Sequence, residues 1–250
     1  MKFIGIIPAR YASTRFPGKP LAMLGSKTMI ERVYTRVADV LGDDVAVATD
    51  DSRIADAVSA FGGRAVMTST SHRSGTDRCR EAYALLGSDA DVVINIQGDE
   101  PFIAPSQIAA LKGCFDDSSV EIASLARPFD PKRGFDALAD PNSPKVVMDS
   151  RGNALMFSRS VIPYVRGAET SEWPGLAKYH THVGLYGYRA DVLDAITRLP
   201  QSPLELAESL EQLRWLEAGY KIRMATTDEP TVGIDTPADL EAAIAMLGDD

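Results

Sequence analysis

The feature that most limits what this chain can fold into is a set of short apolar runs. Residues 3–7, 45–49, 65–67, 91–96 and 120–126 are strand-length and rich in Ile, Val and Ala. The run at 91–96 is apolar on both faces, as a strand buried on both sides of a sheet must be. Between the second and third runs, residues 52–61 place Ile54, Val58 and Phe61 on one helical face, and Gly62-Gly63 ends that helix. A second helix, carrying Cys79, Ala82, Tyr83 and Leu86, lies between the third and fourth. Alternation of buried strands with amphipathic helices predicts an α/β chain with a doubly wound, mostly parallel sheet.

The second half is less regular. Pro128, Pro131, Pro141 and Pro144 break the chain into loops. Residues 146–149 and 154–157 flank Ser150-Arg151-Gly152-Asn153 and read as a hairpin. Residues 167–174 read as a mobile loop. Ser202-Pro203-Leu204-Glu205 is a capping box with proline at the first helical position. One helix is expected from there to Gly219, burying Leu206, Leu210, Leu213 and Leu216. Thr236-Pro237-Ala238-Asp239 is a second start signal of the same design. A single domain over 1–250 is expected, with about 128–190 forming an irregular, β-rich subdomain.

Charge is unevenly placed. The chain carries a formal net charge of -9, yet its first twenty residues hold four basic side chains, Lys2, Arg10, Arg15 and Lys19, and no acidic one. In open α/β sheets ligands gather beyond the carboxyl ends of strands. A basic loop there, with Gly18 and two prolines setting its backbone, suits a polyphosphate. It is not a Walker A loop, since Gly18-Lys19 is followed by Pro20, and Gly5 does not begin a dinucleotide-binding turn. The acidic balance argues against nucleic acid as a partner. No apolar run approaches the ~20 residues of a membrane span, and the expected location is cytoplasmic. The two cysteines, Cys79 and Cys114, read as free thiols.

The strand at 91–96 runs into Gln97-Gly98-Asp99-Glu100-Pro101. Carboxylates at such a place are costly unless solvated, paired or bound to metal. Asp235, just before the second capped helix, is a distant partner with which Asp99 could hold a hard cation. Oxygen ligands beside a phosphate loop favour Mg2+ over Zn2+. A turn role for Asp235 and a surface role for Glu100 are equally compatible with spacing alone. In residues 180–188 the period of two puts His182, Gly184, Tyr186 and Tyr188 on one face. That face suits the floor of a polar ligand site or a half-buried edge strand. Ser74, in Ser71-His72-Arg73-Ser74-Gly75-Thr76-Asp77-Arg78, suits either a nucleoside contact or a helix cap.

Read together, these residues resemble the 3-deoxy-D-manno-octulosonate (KDO) cytidylyltransferase family. The resemblance rests on Ile7-Pro8-Ala9-Arg10-Tyr11-Ala12-Ser13-Thr14-Arg15 with Pro17-Gly18-Lys19-Pro20, on Ala48-Thr49-Asp50, and on Ser74-Gly75-Thr76-Asp77-Arg78. It continues through Gln97-Gly98-Asp99-Glu100-Pro101, Phe157-Ser158-Arg159, 182–188, Leu210-Glu211-Gln212-Leu213-Arg214 and 233–237, covering nearly the whole chain in order. It implies a Rossmann-like, three-layer nucleotidyltransferase fold whose smaller subdomain serves dimerisation and sugar binding. The implied reaction is CTP plus KDO to CMP-KDO and pyrophosphate, for lipopolysaccharide synthesis, with Mg2+ as cofactor and a homodimer as the assembly. By the same resemblance Arg10, Arg15 and Lys19 hold the triphosphate of CTP, Ala9 also contacts CTP, and Ser74, Gly75, Arg78 and Gln97 lie near cytosine and ribose. Asp99 and Asp235 ligate Mg2+ and, with Arg10 and Lys19, are the catalytic set. Arg159, His182, Tyr186, Glu211 and Gln212 surround the sugar acid. The alternatives are a cytidylyltransferase for 8-amino-KDO or another acidic sugar, and a non-catalytic nucleotide-binding protein.

Overall fold

A computed structural model describes residues 1–12 and 16–247. In chain order the strands are β1 (Phe3–Ala9), β2 (Met23–Leu24), β3 (Lys27–Thr28), β4 (Val45–Thr49), β5 (Ala65–Met67), β6 (Val92–Asn95), β7 (Ile122–Pro128), β8 (Lys145–Met148), β9 (Ala154–Ser158), β10 (His180–Arg189) and β11 (Ile222–Thr226). The helices are α1 (Met29–Leu41), α2 (Ser52–Ala60), α3 (Gly75–Leu86), α4 (Pro105–Gly113), α5 (Gly134–Ala139), α6 (Trp173–Leu176), α7 (Ala190–Ile196), α8 (Pro203–Glu208), α9 (Gln212–Glu217) and α10 (Pro237–Leu247). They divide into two compact units. The first comprises Met1–Ala109, Gly187–Thr197 and the chain from Pro230; the second comprises Ala110–Tyr186 and Arg198–Glu229.

The first unit is built on parallel strands in the order β6-β1-β4-β5. Every residue of β4 and β6 is buried, which requires cover on both faces. Gly5 lets α1 come close: a Cβ there would stand 2.8 Å from Leu41 and 3.0 Å from Val37. The three helices that leave the strands are capped by side chains. Thr28 accepts from the Glu31 N–H, Asp51 from Arg53 and Ser74 from Asp77, each cap being worth about 1 kcal/mol. The capped start expected at Thr236 is also present, with Asp239 N–H donating to Thr236 Oγ1.

In the second unit β11 pairs parallel with β7, and β8 pairs antiparallel with both β9 and β10. The expected hairpin over 146–157 is therefore formed. Three expectations are corrected. Residues 167–174 are not a loose loop: Glu169 and Glu172 make a capping box, and Trp173 is buried against Phe129, Leu138 and Tyr179. The helix expected from Ser202 to Gly219 is broken, because Ser209 takes a left-handed conformation with φ 51 between α8 and α9. Leu206 is consequently exposed, while Leu210 and Leu213 are buried. The strand carrying His182 is not an edge, since β10 lies beside β7 and also pairs with β8 at Thr181.

Candidate active site

The first unit holds a cleft of about 250 Å³ beyond the carboxyl ends of β1 and β6. Pro8, Ala9 and Arg10 come from β1 and the residue after it, and Gln97, Gly98 and Asp99 from the turn after β6. Ser74, Gly75 and Arg78 bring the first turn of α3 to the same cleft, and Lys19 and Asp235 complete it. The glycines make the approach possible. A Cβ on Gly98 would stand 3.1 Å from the Pro8 carbonyl, and one on Gly75 3.2 Å from the Pro8 ring.

Lys19 is the centre of the charge arrangement. Its Nζ donates to Asp99 Oδ2 at 2.7 Å, to the Ile234 carbonyl at 2.9 Å and to Asp235 Oδ1 at 3.3 Å. Two carboxylates far apart in sequence thus converge on one cation. Ile234 explains how. It is fully buried with Leu24, Met29 and Ala243, and its N–H donates to the Asp99 carbonyl at 3.0 Å. Asp239 Oδ2 accepts from the N–H groups of both Asp235 and Thr236. Next to Asp99, Glu100 is partly buried rather than a surface charge. Burial first, and the charge of Asp99 second, push its carboxyl up to about 7.

The basic loop is braced at its base. The Gly18 N–H donates to the Tyr11 carbonyl at 2.9 Å, and Gly18 has φ 73 with the Tyr11 ring 3.1 Å from where a Cβ would sit. The Arg53 guanidinium stacks 3.4 Å above that ring while donating twice to Asp51. Arg10 is exposed. Arg15 lies outside the described residues.

Arg78 is buried and committed. It donates to Asp50 at 2.7 Å and to Thr68 at 2.6 Å, so it shapes the cleft wall while pointing its charge at Asp50. His72 also lines the cleft, its Nε2 on Glu81. His72 and Asp50 lie within sequence motifs that assign them no role of their own. A histidine three residues before a helix gives no local sign of the Glu81 it meets on that helix.

The five residues expected around a sugar acid all belong to the second unit. Phe157, His182, Tyr186 and Trp215 form a run of aromatic contacts, with centroids 5.0, 5.3 and 5.2 Å apart in succession. Burial pushes His182 down to about 4, so the ring is neutral near pH 7. Burial, and then the charge of Glu211, raise the Tyr186 phenol well above its ordinary value. Gln212 is 4% exposed, and its Nε2 has no hydrogen-bond partner among the described residues. An amide held in this way suits a ligand acceptor. Glu211 and Gln212 sit at the start of α9 just after the break, rather than two turns into one long helix. Buried ion pairing supports them: Arg214 reaches Glu205 at 2.8 and 2.6 Å.

Arg159 is placed differently from a free carboxylate clamp. Its guanidinium donates to the carbonyls of Glu208, Pro141 and Ser209, tying β9 to the break between α8 and α9. Its backbone N–H and the Ser158 hydroxyl both go to the Glu208 carboxylate.

The chemistry of the first cleft suits a polyphosphate with a hard cation. Mg2+ characteristically takes one or two carboxylates and completes its shell with phosphates and water. Asp99 and Asp235, already convergent on an ammonium, fit that demand. Among the described residues no three His, Cys, Asp or Glu side chains group as a closed metal site would require. No described helix is long and apolar enough to cross a membrane.

Comparison with known proteins identifies the family. The cytidylyltransferase family model matches residues 4–222. A protein of Parabacteroides distasonis named 3-deoxy-manno-octulosonate cytidylyltransferase is 61% identical over 248 residues, covering 99% of this chain and 98% of its own. One of the same name from Myxococcus xanthus is 47% identical, covering 98% of this chain and 96% of its own. A solved CMP:2-keto-3-deoxy-manno-octonic acid synthetase, complexed with CTP, superimposes with a TM-score of 0.90 at 46% identity, covering 99% and 98% of the two chains. A thymidylyltransferase structure from Bacillus anthracis, at 18% identity and a TM-score of 0.65, shares the fold.

Proposed function

The chain belongs to the cytidylyltransferase family, among the 3-deoxy-manno-octulosonate cytidylyltransferases, and from that premise we propose how its residues carry the reaction. The enzyme joins CTP and KDO to give CMP-KDO and pyrophosphate. The observation that carries the residue assignment is the convergence of Asp99, Asp235 and Lys19 on one point of the first unit's cleft.

In this reaction an anomeric hydroxyl of the sugar acid attacks the α-phosphorus in line, opposite the departing pyrophosphate. Little covalent work falls to the protein, so positioning and charge stabilisation dominate. Arg10, Arg15 and Lys19 hold the triphosphate. Lys19 meets the charge that grows on the leaving pyrophosphate, from a position fixed in advance by the Ile234 carbonyl. Ala9, Ser74, Gly75 and Gln97 border the nucleoside, and Arg78 holds the wall through Asp50. Asp99 and Asp235 would hold Mg2+. When bound, the metal neutralises phosphate charge and lowers the pKa of a coordinated hydroxyl.

His182, Tyr186, Glu211 and Gln212 receive the hydroxyls of the sugar acid. Arg159 favours its carboxylate by charge, through whichever N–H groups its three carbonyl contacts leave available. The product is a sugar donor for lipopolysaccharide assembly, made in the cytoplasm. A homodimer completes the proposal, and sedimentation equilibrium would then give twice the 27.0 kDa chain mass.

The test is pyrophosphate release from each of the four nucleoside triphosphates, with KDO, 8-amino-KDO and other acidic sugars. Release with CTP and KDO, dependent on Mg2+, is expected. Preference for another acidic sugar would reassign the second substrate. CTP binding without turnover on any sugar would overturn the catalytic assignment.

A further inference from the structure

Ser124 lies in the middle of β7 with no exposed surface, and sequence reasoning gave it no role. Its Oγ has three polar neighbours: the Leu185 carbonyl at 2.9 Å, His182 Nε2 at 3.0 Å and the Val183 carbonyl at 3.2 Å. We propose that Ser124 is a positioning residue of the sugar site, fixing His182 as the tautomer protonated on Nε2 so that Nδ1 is presented to the sugar acid as a hydrogen-bond acceptor.

The argument is a count of protons. A serine hydroxyl has one, and a carbonyl oxygen can only accept. Were that proton directed at Nε2, two carbonyl oxygens would face a bare Oγ at 2.9 and 3.2 Å with no hydrogen between them. Donation to one carbonyl, the nearer Leu185 oxygen, removes the closer of the two repulsions, and Oγ then has lone pairs left for the ring. Nε2 must therefore carry the hydrogen and donate. The network, rather than the ring itself, assigns the tautomer.

A neutral imidazole has one N–H, so Nδ1 keeps its lone pair. The ring is neutral near pH 7, since burial depresses its protonation. Phe157 stands edge-on to it at 76° and Tyr186 lies tilted at 50°, so the ring cannot turn about its Cβ–Cγ bond without disturbing both contacts. The consequence is selective. Nδ1 rewards a group that donates, such as a sugar hydroxyl, and repels a carbonyl or ether oxygen. This rests on the reading that His182 faces the sugar acid.

The experiment is long-range 1H–15N spectroscopy of the full chain labelled in its three histidines, His72, His180 and His182. The His182 ring is identified as the signal lost in His182→Gln. The expected wild-type pattern is protonated Nε2 with bare Nδ1, and the Nδ1 resonance should move when KDO is added. Ser124→Ala should mix the tautomers and raise KM for the sugar acid about tenfold, the loss of one aligned hydrogen bond. KM for CTP should stay unchanged. Ser124→Thr, which restores a hydroxyl, should restore the wild-type spectrum. A wild-type ring protonated on Nδ1, or a Ser124→Ala spectrum identical to wild type, overturns the proposal. A ring protonated on Nε2 whose Nδ1 ignores KDO leaves the tautomer standing and instead removes His182 from the sugar site.

Discussion

Replacing Lys19 with alanine separates catalysis from stability more cleanly than any other change. The side chain is 16% exposed, and its partners Asp99 and Asp235 are 31% and 48% exposed. Carboxylates that open to water can be solvated once the ammonium is gone, so the folding cost is about 1 kcal/mol. For a chain of this length that shifts the melting temperature by about 2–4 °C. The catalytic cost is larger. A preorganised donor aimed at developing charge is worth about 2–4 kcal/mol. That converts to a fall in kcat/KM of about thirtyfold to a thousandfold. A coupled pyrophosphate assay under steady-state conditions reads the rate, and circular dichroism with a thermal melt reads the fold. A variant that melts within a few degrees of wild type and turns over within threefold of it refutes the leaving-group role. A variant that unfolds outright refutes the claim that Lys19 is dispensable to the fold.

Three further outcomes are expected. Arg214→Leu strands the Glu205 carboxylate, which is 6% exposed, at a cost of about 3–5 kcal/mol. A Glu205→Met, Arg214→Leu double variant should recover part of that loss in a urea titration, and no recovery would argue against a charge-burial cause. Acid should destabilise the protein through His182, whose ring burial pushes down to about 4 from an ordinary 6.5. As pH falls below 6.5 the unfolded chain takes up a proton that the folded ring refuses, so stability drops until about pH 4 by at most about 3 kcal/mol. His182→Gln should flatten this part of the pH–stability curve, and an unaltered curve would assign it elsewhere. Asp99→Asn should move the Mg2+ titration of activity to higher concentration, and an unchanged midpoint would count against direct ligation.

Much of the first unit was legible because its signals are local. A run such as Val92–Asn95 can only be a strand covered on both faces. The basic loop, the glycine before Asp99 and the capped start at Thr236 each declare themselves within a few residues. Helix α1 was legible in principle, through the Thr28–Glu31 cap and the buried Met29, Ile30, Val33 and Val37, but no strand-length run drew attention to it. The second unit was read less well. Helical periodicity carried across Ser209, because a single left-handed residue leaves the spacing of leucines almost undisturbed. Trp173 and the Glu169–Glu172 box gave order to a segment of mostly small and polar residues.

By itself the sequence determined the alternation of elements, the placement of charge at strand ends and, through motif order, the family. The first two depend on neighbours within a turn or two of chain, and the third on the order of such local motifs along it. Tertiary structure alone decided which charges meet. Asp99 and Asp235 converge because Ile234 is buried beside β2 and α10 and bonds back to Asp99. Arg78 is spent on Asp50, and Arg159 on three carbonyls, because the packing of each unit brought those partners within reach. The proton on His182 is set by Ser124, 58 residues away. Hydrogen bonds act over about 3 Å, so their partners are fixed by the packing of strands and helices, and no reading of local spacing can name them.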